Sequence, residues 1–539
     1  MMTRDDMIRA VAARGAEPWD LCIIGGGATG LGVAVDAASR GFTTLLLEEY
    51  DFAKGTSSRA TKLIHGGVRY LQQGNIKLVT EALHERGILC RNAPHLVRNQ
   101  SFIVPNYKWW EGPYYGVGLK VYDWMAGELG LGKSRRLSRE EVLELAPTLD
   151  ADGLRGGVLY HDGQFDDARL AIALAQTAAA HGAVLLNYCR VGGLVKADGR
   201  ITGVRAVDTL DGGATEGGST GSGATGRGSA GRGAADGRTF EVAAKVVINA
   251  TGVFTDNILR VDDPDAEPVI APSQGVHLIL EKRFLPGEAA ILVPHTDDGR
   301  VLFAVPWHDK IIIGTTDTPV SHPTIEPRAF PAEVDFILEQ IGRYLTTVPK
   351  RKDILSIFAG LRPLVKSSSK KTAELARDHL ILVAGSGLIT ITGGKWTTYR
   401  RMAEDTVNTA IQRRGLPENK CITETLSIYD GDIAGIRAIA ASNPDWGKPL
   451  HPRLPYIQAD IIWAARQELC MTVEDALSRR TRSLLLDAAA AIECAPLAAS
   501  LLAAELGRDK GWEAQQIHLF RELAASYLPD LPTPINSTV

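Results

Sequence analysis

Gly25-Gly26-Gly27-Ala28-Thr29-Gly30 spells G-x-G-x-x-G, and an acidic residue, Glu48, closes the next apolar run. Glycines at Gly25, Gly27 and Gly30 let the backbone turn tightly and approach a pyrophosphate with no side chain in the way. A helix opening at Ala28 would add free amide groups and the positive end of its dipole. Glu48 would accept hydrogen bonds from ribose hydroxyls. The glycine pattern alone is weak; with an acid at this spacing it predicts a dinucleotide site.

Other residues could do chemistry beside that nucleotide. Residues 56–70, TSSRATKLIHGGVRY, are dense in hydroxyls, glycines and cations and poor in core formers. Such a loop can bind a pyrophosphate and the polar edge of a ring. Asn249-Ala250-Thr251-Gly252 follows an apolar run with residues small enough for close backbone approach. Arg362 follows Gly360-Leu361 and directly precedes Pro363, which places it in a stiff turn. Its planar fork suits phosphate oxygens. His277 has the ordinary pKa of a general base, and it also reads as a satisfied sheet residue.

The elements that must hold these residues follow from periodicity. Residues 21–24 and 43–48 read as strands and 28–39 as the helix between them, ended by Gly41. An Ala-rich helix spans 166–181 and leads into a strand at 183–188, with shorter strands at 193–197 and 203–207. A buried strand is expected at 246–249. Strands at 276–280, 290–293, 301–305 and 311–314 predict an antiparallel sheet in a second domain. A buried strand at 380–384 and a helix at 397–413 return to the first domain, and the chain from about residue 422 reads as helical. Residues 211–238 contain no apolar side chain larger than Ala, so this segment predicts a disordered loop joining two strands.

Taken together, these segments resemble the FAD-dependent, quinone-linked glycerol-3-phosphate dehydrogenase family. The likeness lies in residues 56–70, in 162–170 (DGQFDDARL) and in Asn249-Ala250-Thr251-Gly252. It continues in Pro306-Trp307, Gly314-Thr315-Thr316-Asp317, 359–364 (AGLRPL) and 391–400 (ITGGKWTTYR). It runs from about Trp19 to the C-terminal helices, with 211–238 as the main departure. The resemblance implies an α/β fold: a Rossmann-like FAD-binding domain of the D-amino-acid-oxidase/glutathione-reductase type, an antiparallel-sheet substrate domain and a C-terminal helical domain. The expected bounds are 1–100, 150–265 and 355–420 for the first, 101–149 and 266–354 for the second, and 421–539 for the third.

The same resemblance implies a non-covalent FAD held by Gly25, Gly27, Gly30, Glu48, Thr56, Ser57, Ser58, Lys62, Leu63, Ile64, His65, Gly66, Val191, Ala250, Gly252, Gly394 and Lys395. His65 could instead tether the flavin, and Val191 is either the adenine contact or an ordinary strand valine. It implies sn-glycerol 3-phosphate as substrate, met by Arg69, Tyr70, His277, Arg362, Arg377 and Lys395. Arg377 stands beside Asp378 and equally reads as a surface pair. In catalysis His277 would take the hydroxyl proton, with Lys395 or Arg362 steadying the developing alkoxide. Electrons would pass to ubiquinone or menaquinone, on a protein bound peripherally to the cytoplasmic face of the cell membrane. A homodimer is compatible with this reading. Rival readings are an oxidase that reduces oxygen and a flavin-free escort of the same fold.

Composition sets the outer bounds. The chain has 539 residues, 45% hydrophobic and 23% charged, with a formal net charge of −4. That length suggests about three units, and that charge offers no case for nucleic acid. Six scattered cysteines show no metal spacing and fit reduced thiols, and no metal site is expected. The first residues lack the apolar run of a signal peptide. No uncharged apolar stretch of about 18 residues is visible, so membrane contact is expected to be peripheral. Aromatics and lysines at 107–122 fit either a membrane interface or a buried core. Arg479-Arg480-Thr481-Arg482 reads as a solvated helix face.

Overall fold

The computed structural model describes residues 3–68, 75–210, 239–366 and 379–529. Arg69, Tyr70, Arg377 and the segment 211–238 lie outside the described residues. Among the described residues, two sheets carry the molecule. In the first, strands run in the order His379–Val383, Ile389–Gly393, Thr239–Asn249, Trp19–Ile24, Thr44–Leu47 and Val184–Leu186. All neighbours after the first pair are parallel. The central strands are continuous apolar runs because helices cover one face and a strand meander covers the other. The meander consists of Cys189–Ala197 and Arg200–Asp208, which pairs antiparallel with Thr239–Asn249.

Helix Ala28–Ser39 packs closely against helix Tyr399–Arg414 because its contact face is small. A Cβ at Gly32 would lie 2.9 Å from the Tyr399 ring. The strand expected at 380–384 as buried is His379–Val383, a half-exposed antiparallel edge strand. The buried partner is Ile389–Gly393, which the sequence reading missed. Helix Arg4–Arg14, absent from that reading, is fixed by a capping box at Thr3 and by Arg4, which donates to Asp208 and to the Asn187 carbonyl.

The second sheet is largely antiparallel and is built on Ile270–Glu281, which pairs with Lys310–Gly314 on one side and Ile354–Val365 on the other. Val97–Asn106, Gly156–Phe165 and Ile354–Val365 belong to this sheet. The expected bounds had put parts of all three in the nucleotide domain. Their apolar alternation matches either sheet, and only the pairing decides.

The C-terminal helices pack on Ile279, Trp307, Ile312 and Phe358 of the second sheet. Helix Ala488–Leu506 is long and apolar enough, by length and composition, to cross a membrane. It lies in this helical core, with Ala490, Ala495, Ala498 and Leu502 fully buried. The run is not an uncharged stretch of about 18 residues, because Glu493 and Glu505 interrupt it within the one helix.

Candidate active site

The glycine turn closes against the neighbouring strands. Gly25 donates to the Leu47 carbonyl at 2.9 Å and adopts φ +108°. A Cβ there would meet the Ala250 carbonyl oxygen at 2.7 Å, and one at Gly30 would meet the Gly25 oxygen at 1.9 Å. Only glycine fits either position. Gly27 caps helix Ala28–Ser39 without a side chain, and the Ala28 amide donates to Ser57 Oγ at 2.9 Å.

A cavity of about 410 Å³ opens where the parallel strands end. Gly25, Gly27, Glu48, Thr56, Ser57, Val191, Ala250, Gly252, Gly394 and Lys395 line it. This is the crevice at the carboxyl ends of the strands where such sheets take nucleotides. A helix N-terminus, an acid, open space above Gly252 and a second small-residue turn fit an FAD. Glu48 accepts hydrogen bonds from the Gly26 and Tyr50 amides. Burial outweighs those bonds and pushes its carboxyl up to about 7.

A second cavity, about 220 Å³, adjoins the first along one strand: Pro363 lines the larger and Arg362 the smaller. One wall is apolar and includes Leu63, Phe102, Tyr115, Leu119 and Tyr160. The other is polar and includes Thr61, His65, Arg300, Thr315, Asp317 and Arg362. The Arg362 guanidinium donates to the Gln274 carbonyl (3.3 Å), Asp317 (3.2 Å), Thr315 Oγ1 (3.1 Å) and the Thr316 carbonyl (3.0 Å). Gly275 makes room for it; a Cβ there would lie 2.3 Å from the guanidinium.

His277 is 3% exposed and stacks on Phe358 at 4.8 Å. Its Nε2 lies 2.9 Å from Thr61 Oγ1. Burial, with Lys62 and Arg362 nearby, holds its pKa well below the ordinary value, so the ring is neutral.

Five residues expected at the cofactor sit elsewhere in its frame. Gly30 is packed under the turn. Ile64 is fully buried in a short strand. Gly66 donates to the Tyr122 hydroxyl at 2.8 Å. The Ser58 carbonyl accepts from Lys62 Nζ at 2.8 Å. Lys62 is wholly buried and paired with Asp167 at 2.7 Å, its amine pulled down to about 8 by burial against the opposing pull of Asp167. Leu63 and His65 line the second cavity rather than the first. Thr61, Arg300 and Asp317 had not been singled out. Thr61 and Asp317 stand inside quoted motifs, whereas Arg300 carries no local signal.

The arginine cluster corrects the sequence reading. Arg479, Arg480 and Arg482 are buried, not solvated. Arg479 and Arg480 converge on Asp51, and Arg482 donates to the Ser58 carbonyl at 2.6 Å and to Asp167 at 3.1 Å. The C-terminal region therefore braces the loop that borders both cavities.

Helix Glu111–Ala126 divides the aromatic segment between an inward and an exposed face. It turns Tyr115 and Leu119 into the second cavity and buries Tyr122. Its other face exposes Tyr114, Val117, Val121 and Trp124, the last at 82%, next to Trp109 at 78% and Trp110. Lys108 and Lys120 are exposed beside them.

Residues 20–400 match the family described as FAD dependent oxidoreductase, and residues 387–516 match the C-terminal domain of alpha-glycerophosphate oxidase. The probable mitochondrial glycerol-3-phosphate dehydrogenase of Caenorhabditis elegans is 39% identical, over 96% of this chain and 74% of its own. The mitochondrial enzyme of Arabidopsis thaliana is 37% identical, over 96% and 87%. Among solved structures, glycerol-3-phosphate dehydrogenase from Bacillus halodurans, complexed with FAD, superposes with a TM-score of 0.77 at 26% identity. That match covers 99% of this chain and all of the other.

Proposed function

This chain belongs to the FAD-dependent oxidoreductases and, within them, to the glycerol-3-phosphate dehydrogenases, and we propose that it oxidises sn-glycerol 3-phosphate to dihydroxyacetone phosphate. The observation that carries this is the junction of the two cavities: a nucleotide crevice meets a smaller pocket whose polar wall presents Arg362. A bound FAD would supply the hydride acceptor for C2 of the alcohol. Gly25, Gly27 and the helix N-terminus would hold its pyrophosphate, and Glu48 its ribose. Thr56, Ser57, Gly394 and Lys395 line the same cavity.

Arg362 is pre-oriented by four acceptors, so it meets a phosphate or a developing alkoxide with little reorganisation. Arg69, Tyr70 and Arg377 are further candidates for the phosphate. His277 is neutral, so a ring nitrogen can take the hydroxyl proton.

The electron acceptor on this reading is a membrane quinone. The exposed aromatic and valine face of helix Glu111–Ala126, flanked by lysines, would rest peripherally on the cytoplasmic face of the membrane. Its opposite face lines the second cavity, which brings a lipid-soluble acceptor near the flavin. The match to an oxidase C-terminal domain makes oxygen the alternative acceptor. Steady-state oxidation of sn-glycerol 3-phosphate with a short-chain quinone analogue, compared with oxygen alone, tests this. Faster turnover with the quinone is expected, and stoichiometric hydrogen peroxide at an equal rate would favour the oxidase.

A further inference from the structure

Resting on the reaction just described, we propose that the Thr61 hydroxyl relays the alcohol proton to His277. Thr61 lines the second cavity together with Arg362, Thr315 and Asp317. His277 does not reach that surface. Its ring is clamped between Phe358, stacked at an interplanar angle of 12°, and Gly314, where a Cβ would lie 2.3 Å from ring carbon Cδ2. Thr61 Oγ1, 2.9 Å from Nε2, is therefore the polar atom that joins the ring to the cavity.

The position of Thr61 is set from both sides. The Ala60 amide donates to Asp167 Oδ2 at 2.8 Å, and Lys62 Nζ donates to the same carboxylate at 2.7 and 2.8 Å. Between them the chain turns through φ +63° at Lys62. Two neighbours tied to one buried carboxylate leave the intervening hydroxyl little freedom, as a relay requires. His277 Nδ1 has no hydrogen-bond partner among the described residues. That leaves the tautomer unfixed, and in the tautomer with hydrogen on Nδ1 the Nε2 atom accepts from Thr61.

The alcohol O–H gives its proton to Thr61 Oγ1, and the Thr61 proton moves to His277 Nε2. The C2–H bond breaks with its electron pair leaving to the flavin, and C2=O forms. The imidazolium later returns its proton to solvent. Lys62 and Arg362 both oppose charge on this ring, and a bound phosphate dianion at Arg362 relieves part of that opposition. His65 and Asp162 also line the cavity, Asp162 being engaged by Arg86 at 2.6 Å, and Asp317 is the candidate base beside Arg362. It is engaged by Arg362 at 3.2 Å and faces Arg300 at 3.9 Å, and it accepts a hydrogen bond from Ser273.

Thr61→Val and Thr61→Ser separate a relay from a packing role. Each flavin-loaded variant is characterised by its visible spectrum, by calorimetric binding of dihydroxyacetone phosphate, and by the rate of anaerobic flavin bleaching against pH. Thr61→Val is expected to keep its flavin and to bind the ketone within about threefold of wild type. Its bleaching should slow by roughly 10²–10³-fold, the range for losing one proton-transfer partner. Thr61→Ser should recover most of the rate and the wild-type pH profile. Bleaching of Thr61→Val at the wild-type rate would overturn the relay. So would equal impairment of both variants with weakened ketone binding, or a pH dependence that survives in Thr61→Val and vanishes in Asp317→Asn. Wild-type enzyme that fails to bleach would instead overturn the assigned reaction.

Discussion

Four acceptors around Arg362 matter more to its chemistry than its charge alone. Gln274, Thr315, Thr316 and Asp317 fix the plane of the guanidinium before any ligand arrives. Arg362→Ala should therefore keep the visible flavin spectrum while anaerobic reduction falls by about 10²–10³-fold. Arg362→Lys should be impaired nearly as much, since a point charge cannot satisfy that set of acceptors. Reduction at the wild-type rate in either variant would remove Arg362 from the site. Glu48 gives a pH test. Its folded-state pKa is raised from 4.5 to about 7, so the folded protein holds the proton more tightly than the unfolded chain across that window. Its contribution to stability is intact below 4.5 and is lost as pH rises toward about 7. Flavin-stripped wild type should thus lose Tm relative to Glu48→Gln over that range. Parallel melting curves would show that Glu48 carries no such shift.

Helix Glu111–Ala126 has two apolar faces where a surface helix has one. The buried face belongs to the second cavity, and the exposed face is the one proposed to meet the membrane. Replacing Tyr114, Val117 and Trp124 together by Ser should reduce cosedimentation with anionic vesicles by at least about tenfold and leave turnover with a water-soluble acceptor unchanged. Undiminished vesicle binding would remove this face from the proposed membrane contact. In the helix after the glycine turn, Gly27→Val should abolish flavin retention, because a Cβ at Gly27 already comes within 3.1 Å of Ser57 Oγ. The strand–turn–helix around that glycine was readable because its determinants are local. Apolar periodicity sets helix Ala28–Ser39 at its expected bounds, and Gly25 and Gly30 mark the close approaches. The edge position of His379–Val383 was not readable, since a run of Leu, Ile and Val looks alike at an edge or in the centre of a sheet.

The molecule is held together by charges that local sequence hides. Arg479 and Arg480 meet Asp51 from the far end of the chain, and Arg482 meets Asp167 in the same way. A run of arginines looks solvated until those carboxylates are placed against it. Burial alone would raise the Asp51 pKa, but Arg480 and Arg479 outweigh it and hold the carboxylate below its ordinary range. Asp51→Asn would leave two buried guanidiniums undercompensated and should cost about 3–5 kcal/mol of stability, measured by urea unfolding. A loss near zero would mean that water or rearrangement replaces the network. Through Arg482 and Ser58 this network steadies the loop that carries Thr56, Ser57 and Thr61, so the C-terminal helices support the site without entering it. On the proposed function, a flavin crevice opens onto a pocket for a phosphorylated secondary alcohol. Mixing the purified holoenzyme anaerobically with sn-glycerol 3-phosphate, and separately with glycerol, tests it directly. The visible flavin band should bleach with the phosphate ester and persist with glycerol. Equal bleaching by both, or none by the ester, would contradict it.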